Sequence, residues 1–561
     1  MKRFLFCAAT AAMLVNATSC QNDETILRQE GQMFTLEAAY GTGTRTTLEE
    51  NGSGGYATKW SADDKIYVTD GYGLVSGVLT LKNGEGESTG TFTGYVSGNP
   101  AALRYAVFPA PTNGQIDLSE VDASQADAPM TAPISGSKAN FKNECGLVRI
   151  AIFNLPENAD VRLSAEGITG DLQVNTQNGV VLEPSGTADE IRIKNAKNGQ
   201  AFFVPVIATD NAVSTQFTLS INGKAKTFTA QIKKGAVTAN GVPEIYFSDG
   251  GLIKWEDYEP DTNTDIQNNY LLKDATDLIW LAKQINEKGR NFNEYTLSIT
   301  EDIDLQGYEW TPIGNATNKF NGSFDGGGKT ISNLYVNNGK NNNAGLFGFV
   351  QGDKSNKIEI KDVILENVEV KGGWRIGGLI GSCGSYTTVS DITMKGLVKI
   401  EGYSDAGAIV GGNCKNINNI TINVEEGSYV QSTVGTVGGV IGLLTENYHA
   451  ENITSNIDVI ATDVVKANNP GVGGIFGCTN GYGTILTNCS SSGNVTIQNA
   501  STTELAQKIG GVSGGKHGGK LTLTGCSYTG KLASSYNGTP IATFNNNGLV
   551  GGDQDKNIII K

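Results

Sequence analysis

Seven times in its second half, the chain writes a five-residue segment containing no reactive side chain. The copies are AGLFG (344–348), GGLIG (377–381), GAIVG (407–411), GGVIG (438–442), GGIFG (473–477), GGVSG (510–514) and NGLVG (547–551). Their closing glycines are 33, 30, 31, 35, 37 and 37 residues apart. A recurrence in this range is the mark of stacked units, none of which can bury its apolar face alone. The first aliphatic position is apolar in every copy: Leu346, Leu379, Ile409, Val440, Ile475, Val512, Leu549. The next is Phe347, Ile380, Val410, Ile441, Phe476, Ser513, Val550, and so admits a serine. Neighbouring strand residues face opposite ways, so the first row is expected to point inward and the second to be less buried.

Two more rows run in parallel with the motif. Val363, Ile392, Ile420, Ile453, Cys489 and Cys526 form one, and most follow an Asp or Asn: Asp362, Asp391, Asn419, Asn452, Asn488. Val368, Val398, Ile457, Val495 and Leu532 form the other, with no clear member in the third repeat. Three short apolar rows per period predict a three-sided parallel solenoid, one repeat to a coil. Glycine then turns corners and lets coils approach closely.

The first half is written differently. Residues 34–258 alternate apolar and polar positions, as in Val148-Arg149-Ile150-Ala151-Ile152, and are punctuated by Asn-Gly pairs. Asn222-Gly223 between FTLSI and KAKTFTAQI predicts a hairpin. A β-sandwich region is expected, in two subdomains with a break near 130–140. Residues 259–269, with Pro260, form a polar linker. One helix is expected at 274–289, with Leu278, Leu281, Ala282 and Ile285 on one face, Asp274 as its cap and Gly289 as its stop. The fold class is therefore all-β, with 270–561 as the solenoid and the helix capping its start.

At the N-terminus, Lys2-Arg3 precedes an apolar run from Phe4 to Val15, and Ala17-Thr18-Ser19 leads into Cys20. That is a secretory signal. It resembles the bacterial lipobox, which implies a signal peptide over 1–19, lipidation of Cys20 and a tether over 20–33. The acidic Gln21-Asn22-Asp23-Glu24 resembles the tag that exports lipoproteins to the outer face of the outer membrane.

TKWSADDKIYV (58–68), RYAVFPA (104–110), FKNECGLVRIAIFNLP (141–156) and AFFVPV (201–206) resemble the fimbrillin family of surface lipoproteins. The resemblance implies transthyretin-like sandwiches. It also implies assembly with other pilus subunits by strand donation after a cut at Arg28 or Arg45. ITEDIDLQGYEWTPIG (299–314), the segment FNGSFDGGGKTISNL that follows, and the glycine motif resemble bacterial surface β-helices carrying GLUG repeats.

Chemistry is sparse. Net charge is −15 with no basic stripe, which argues against nucleic acid. The two histidines, His449 and His517, and the absence of HExxH and GxSxG leave no expected metal, cofactor or catalytic residue. Asp302 and Asp304 sit in the DIDL segment and read as structural; Glu425-Glu426 and Asp553/Asp555 read as solvated loops. Cys145, Cys383, Cys414, Cys478, Cys489 and Cys526 match no zinc spacing. They read as small buried hydrophobes, with their disulfide state left open. Tyr386, Tyr448 and Tyr482 follow their closing glycines by five, six and five residues, and Trp374 precedes a motif. Such aromatics suit stacking on sugar rings. The function expected is that of an outer-membrane surface lipoprotein acting as an adhesin for a glycan, host or matrix ligand. Alternatives are a structural or tip component of a pilus and a carbohydrate-active β-helix enzyme.

Overall fold

The computed structural model describes residues 31–40, 47–50, 56–124, 128–175, 181–237, 244–248, 251–306, 308–434, 436–444, 448–464, 471–479, 483–515, 519–544, 546–552 and 557–561. Cys20, Arg28, Arg45, Tyr482, His517, Asp553 and Asp555 lie outside the described residues. The chain divides into two compact units, 1–258 and 259–561.

The first unit is all β. Seven strands, beginning with Gly31–Tyr40 and ending with Lys138–Asn143, close into a barrel. Trp60 fills it, edge-on to Phe92, Phe108 and Phe141 at 4.7, 5.5 and 5.8 Å. Three of the four segments that carry the fimbrillin resemblance supply Trp60, Phe108 and Phe141. The body after it is a sandwich. Gly146–Phe153 and Ala201–Val206 lie in a four-stranded sheet; Val161–Thr169, Val213–Ile221 and Lys224–Ile232 lie in a five-stranded one. The expected hairpin is present, with Asn222 and Gly223 both at positive φ and Ile221 opposite Lys224. The change of body falls after Asn143 rather than at 130–140, because Met130–Ser135 and Lys138–Asn143 pair with each other inside the barrel.

The second unit opens on a fold-back, not a free linker: Asn263 donates to the Asn269 carbonyl and Leu271 to that of Asp261. The helix Ala275–Asn286 follows. Asp274 accepts from the Asp277 N–H and Gly289 sits at φ +62°.

Beyond the helix, strands stack in parallel in three sheets. One coil shows the plan. The long strand Ile358–Lys371 bends twice, at Asp362 (φ 53°) and Asn367 (φ 55°). The short strands Trp374–Gly377 and Ile380–Cys383 complete the coil. Each joins its own five-stranded sheet, while the bent strands form one continuous ladder.

Two of the predicted rows are altered by this geometry. Both aliphatic positions of the glycine motif are buried. Phe347, Ile380, Val410, Ile441, Phe476, Ser513 and Val550 are as inaccessible as Leu346, Leu379, Ile409, Val440, Ile475 and Val512. The reason is local. One strand ends at Gly377 and the next starts at Ile380, so Leu379 lies in the turn between them and strand alternation does not govern it. This turn points into the solenoid: a Cβ on Gly378 would lie 2.7 Å from Met394 Cε, across the interior.

The other altered row splits. Val368 pairs with Val398, but Val495 and Leu532 belong one pleat further on, in the column Val370, Ile400, Val430, Val459, Val495, Leu532. In the third repeat the place beside Val398 is taken by Ser428, whose hydroxyl accepts from the Val398 N–H at 3.0 Å. The row Val363, Ile392, Ile420, Ile453, Cys489 is in register throughout.

The closing glycines of the motif do not turn corners. None of Gly348, Gly381, Gly411, Gly442, Gly477, Gly514 and Gly551 has a positive φ. They serve close approach only: a Cβ at Gly381 would meet the Asn343 carbonyl carbon at 2.6 Å and one at Gly442 the Gly411 oxygen at 2.5 Å.

Candidate functional site

The bend at Asp362 repeats in every coil, and a left-handed residue makes it each time. Asp391, Asn419, Asn452 and Asn488 have φ of 58°, 56°, 54° and 53°. Asn and Asp tolerate this conformation better than other residues with a side chain. Their side chains then join into a ladder: Asn419 Nδ2 donates to Asp391 Oδ1 (2.9 Å), Asn452 to Asn419 (3.1 Å) and Asn488 to Asn452 (3.2 Å).

The bend at Asn367 produces a different surface. Asn333 donates to Asp304, Asn367 to Asn333, and the Leu397 N–H to Asn367 Oδ1. Gly396 pairs with Val424, whose N–H donates to Asn456 Oδ1. One edge therefore runs from coil to coil, and two hollows lie along it on the outer surface. The first, about 260 Å³, is lined by Asn333, Tyr335, Asn367, Glu369, Leu397 and Lys399 among others. The second, about 490 Å³, is lined by Thr421, Asn423, Thr454, Asn456, Ser490, Ser492, Ser527 and Thr529, with Ile422, Ser455 and Ser491 between them. No lining residue of the larger hollow carries a charge. Thr421, Thr454 and Ser490 are in-register neighbours, and Ser527 pairs with Ser490. Hydroxyls and amides thus repeat at the coil spacing, about 4.8 Å. Each can both donate and accept.

The aromatic candidates are not gathered at one place. Trp374 is half-buried and lies against Tyr403 on the next coil, ring centres 5.5 Å apart and tilted by 49°. Tyr403 is 46% exposed. Beside them Arg375 Nε is 4.0 Å from Asp405 Oδ2, with Arg375 and Asp405 both at positive φ. Burial raises the Asp405 carboxyl above its ordinary range, against the opposing pull of Arg375. Tyr386 is 43% exposed, with Lys415 Nζ 5.8 Å from its ring centre. Tyr448, expected to share a stacking face with Tyr386, is only 3% exposed and cannot do so. Asn416 pairs with His449 and Thr388 with Asn416, so Tyr448 shares a column with Lys415 and Thr387, one residue out of step with Tyr386. A one-residue slip changes the face.

Sequence reasoning missed Tyr403 and the hydroxyl edge. Tyr403 could have been found 29 residues after Trp374, close to one period. The edge had no such signal, because serine and threonine are common on any surface.

The acidic candidates are engaged in the scaffold. Asp302 Oδ1 accepts from the Thr330 N–H, and Asp304 Oδ1 from Gln306 and Asn333, all at 2.8 Å. Among the described residues no group of three or more His, Cys, Asp or Glu side chains is placed to hold a metal ion, and no helix is long and apolar enough to cross a membrane.

No family model matches the chain. A stretch of 221 residues is 30% identical to halomucin of Haloquadratum walsbyi, covering 36% of this chain and 2% of that protein, so the chain spans a very small part of this relative's length. Among solved structures, one titled a "putative cell adhesion protein" from Bacteroides uniformis is 15% identical, over 39% of this chain and 94% of that one, at a TM-score of 0.25. A fimbrial protein from Bacteroides ovatus is 14% identical, over 41% and 55%, at 0.19. A "putative immunoglobulin A1 protease" from Bacteroides ovatus is 16% identical, over 54% and 86%, at 0.32.

Proposed function

We propose that the chain is a surface-anchored lipoprotein whose solenoid binds an extended, uncharged glycan along the hydroxyl edge. The observation that carries this reading is the larger hollow: uncharged donor–acceptor groups, repeated in register over four coils. A polymer with its own short repeat can meet the same group at each step. A charged polymer would find no counter-charge there. The Trp374–Tyr403 ledge offers a second contact, through flat apolar faces.

The test is a glycan and matrix-protein array probed with the chain lacking residues 1–20. Neutral polysaccharides are expected to bind. Thr454→Lys with Ser492→Lys, both exposed positions, should weaken binding about tenfold or more, equivalent to about 1.4 kcal/mol, with an unchanged circular dichroism spectrum. Undiminished binding by that double variant rejects the edge as the site. Loss of binding on Trp374→Ala with Tyr403→Ala alone would move the site to the ledge. Anchoring is tested separately: Cys20→Ser should abolish fatty-acid labelling of the mature protein, and equal labelling would reject a lipoprotein.

A pilus subunit is the second reading, and one observation favours it. The first strand, Gly31–Tyr40, lies between Thr89–Ser97 and Lys138–Asn143, with Leu36 and Ala38 fully buried. Cleavage after Arg45 would sever this strand from the barrel, and a strand from another subunit could then replace it. Polymers appearing after limited tryptic cleavage would support this; a barrel that stays monomeric would not.

A further inference from the structure

Six cysteines follow residue 20, and none is bridged: five are buried, and Cys526 is partly exposed. Two of them continue an aliphatic column. Cys489 stacks on Ile453, and Ser527 pairs with Ser490, so Cys526 stands next to Cys489 one coil further on. Neighbours in such a column are about 4.8 Å apart. That lies inside the Cα separation a disulfide spans, about 4.4–6.8 Å. Each thiol is the other's strongest influence on acidity. The thiols donate to backbone carbonyls: Cys489 Sγ to Thr487 O at 3.4 Å and Ala450 O at 3.9 Å, and Cys526 Sγ to Leu486 O at 3.5 Å and Thr524 O at 3.7 Å.

We propose that Cys489 and Cys526 are a disulfide site, closed by an external small-molecule or protein disulfide, that links two successive coils. The roles of the two sulfurs differ. Cys526 is the one solvent reaches, and the neighbouring Cys489 thiol draws its pKa down to about 7. Cys489 is pushed up by the neighbouring Cys526 and by burial. Cys526 thiolate therefore attacks one sulfur of the external disulfide and expels the other as a thiolate, leaving a mixed disulfide on Cys526. Cys489 then loses its proton and attacks the Cys526 sulfur, expelling the second thiolate. Two protein thiols are oxidised and one external disulfide is reduced to two thiols; the two protons pass to the departing thiolates. Cys383 and Cys414 also touch across neighbouring coils, but both are fully buried. An external disulfide has no such access to them, so they serve as an internal comparison.

The experiment is incubation of the folded chain lacking residues 1–20 with oxidised glutathione, followed by thiol counting and peptide mapping. Two thiols should disappear, with residues 489 and 526 recovered in one cross-linked peptide pair. Cys489→Val, which keeps the column apolar, should stop the reaction at a glutathione adduct on Cys526. Cys526→Ser should leave Cys489 unmodified. The oxidised chain should unfold at a higher temperature than the same chain with reductant, and the double variant should show no such difference. Glutathione remaining on Cys526 in the parent chain, or no reaction at either residue while the parent remains folded, would overturn the proposal.

Discussion

The residues that do most to shape this molecule are polar and left-handed. Asn452 shows why: its backbone sits at φ 54°, and its side chain both donates to Asn419 and accepts from Asn488. Alanine there would lose both hydrogen bonds and still have to adopt the left-handed conformation, each penalty being about 1 kcal/mol or somewhat more. Asn452→Ala should therefore lower the stability of the solenoid by about 2–3 kcal/mol in urea unfolding, and Asn452→Gly by less, because glycine keeps the angle. Asp64 is a second residue with a measurable signature. Burial raises its pKa from 3.8 to about 6, despite the hydrogen bond from the Ser61 N–H. The folded state thus holds this proton more tightly than the unfolded one, so its contribution to stability is greatest below about pH 4 and falls as pH rises to about 6. In wild type this adds a decline across that window, which Asp64→Asn should remove. Identical pH profiles for the two, by urea midpoint, would contradict the assignment.

At the scale of elements, glycine occurs here for two unrelated reasons that substitution can separate. Gly442 has an ordinary φ, but a Cβ there would press on the Gly411 oxygen at 2.5 Å and the Asp405 carbonyl carbon at 2.6 Å. Gly427 has φ +88° and open space around it. Gly442→Ala should cost several kcal/mol or prevent folding, while Gly427→Ala should cost about 1 kcal/mol. The same contrast explains what could be read in advance. The period, the helix and the Val363 column were legible, because each rests on an apolar pattern repeated along the chain. The two-strand turn in the glycine motif was not. A sequence does not say whether Leu379 and Ile380 share a strand, and only the position of the turn brings both inside. Ile441→Ser should accordingly be as damaging as Val440→Ser, about 2–5 kcal/mol by analogy with other large-to-small core changes.

Taken whole, the chain is two independent architectures in series, and binding is expected to follow the second. Residues 259–561 form one compact unit with its own capping helix. Expressed alone, they should retain the affinity of the longer chain for neutral polysaccharide, and residues 31–258 should have none. Affinity that stays with the barrel and sandwich would relocate the site. The all-β class of the first unit and the stacked repeat of the second were legible from apolar alternation and repeat length, but the closed barrel, expected as a sandwich, was not. The binding edge was not, because it exists only once Thr421, Thr454, Ser490 and Ser527 are stacked. In sequence they are 33, 36 and 37 residues apart and indistinguishable from other surface serines and threonines. Parallel stacking has a last consequence, a mechanical one. The long strands of the central coils pair with the coils before and after them. A pull on the end of the chain therefore loads one rung at a time instead of the whole ladder. Stretched between a cantilever and a surface, the solenoid should yield in a sawtooth. Each tooth should release one coil of 30–37 residues, about 100–130 Å of contour. A tether built this way dissipates a sudden tug in small instalments and can rewind between them.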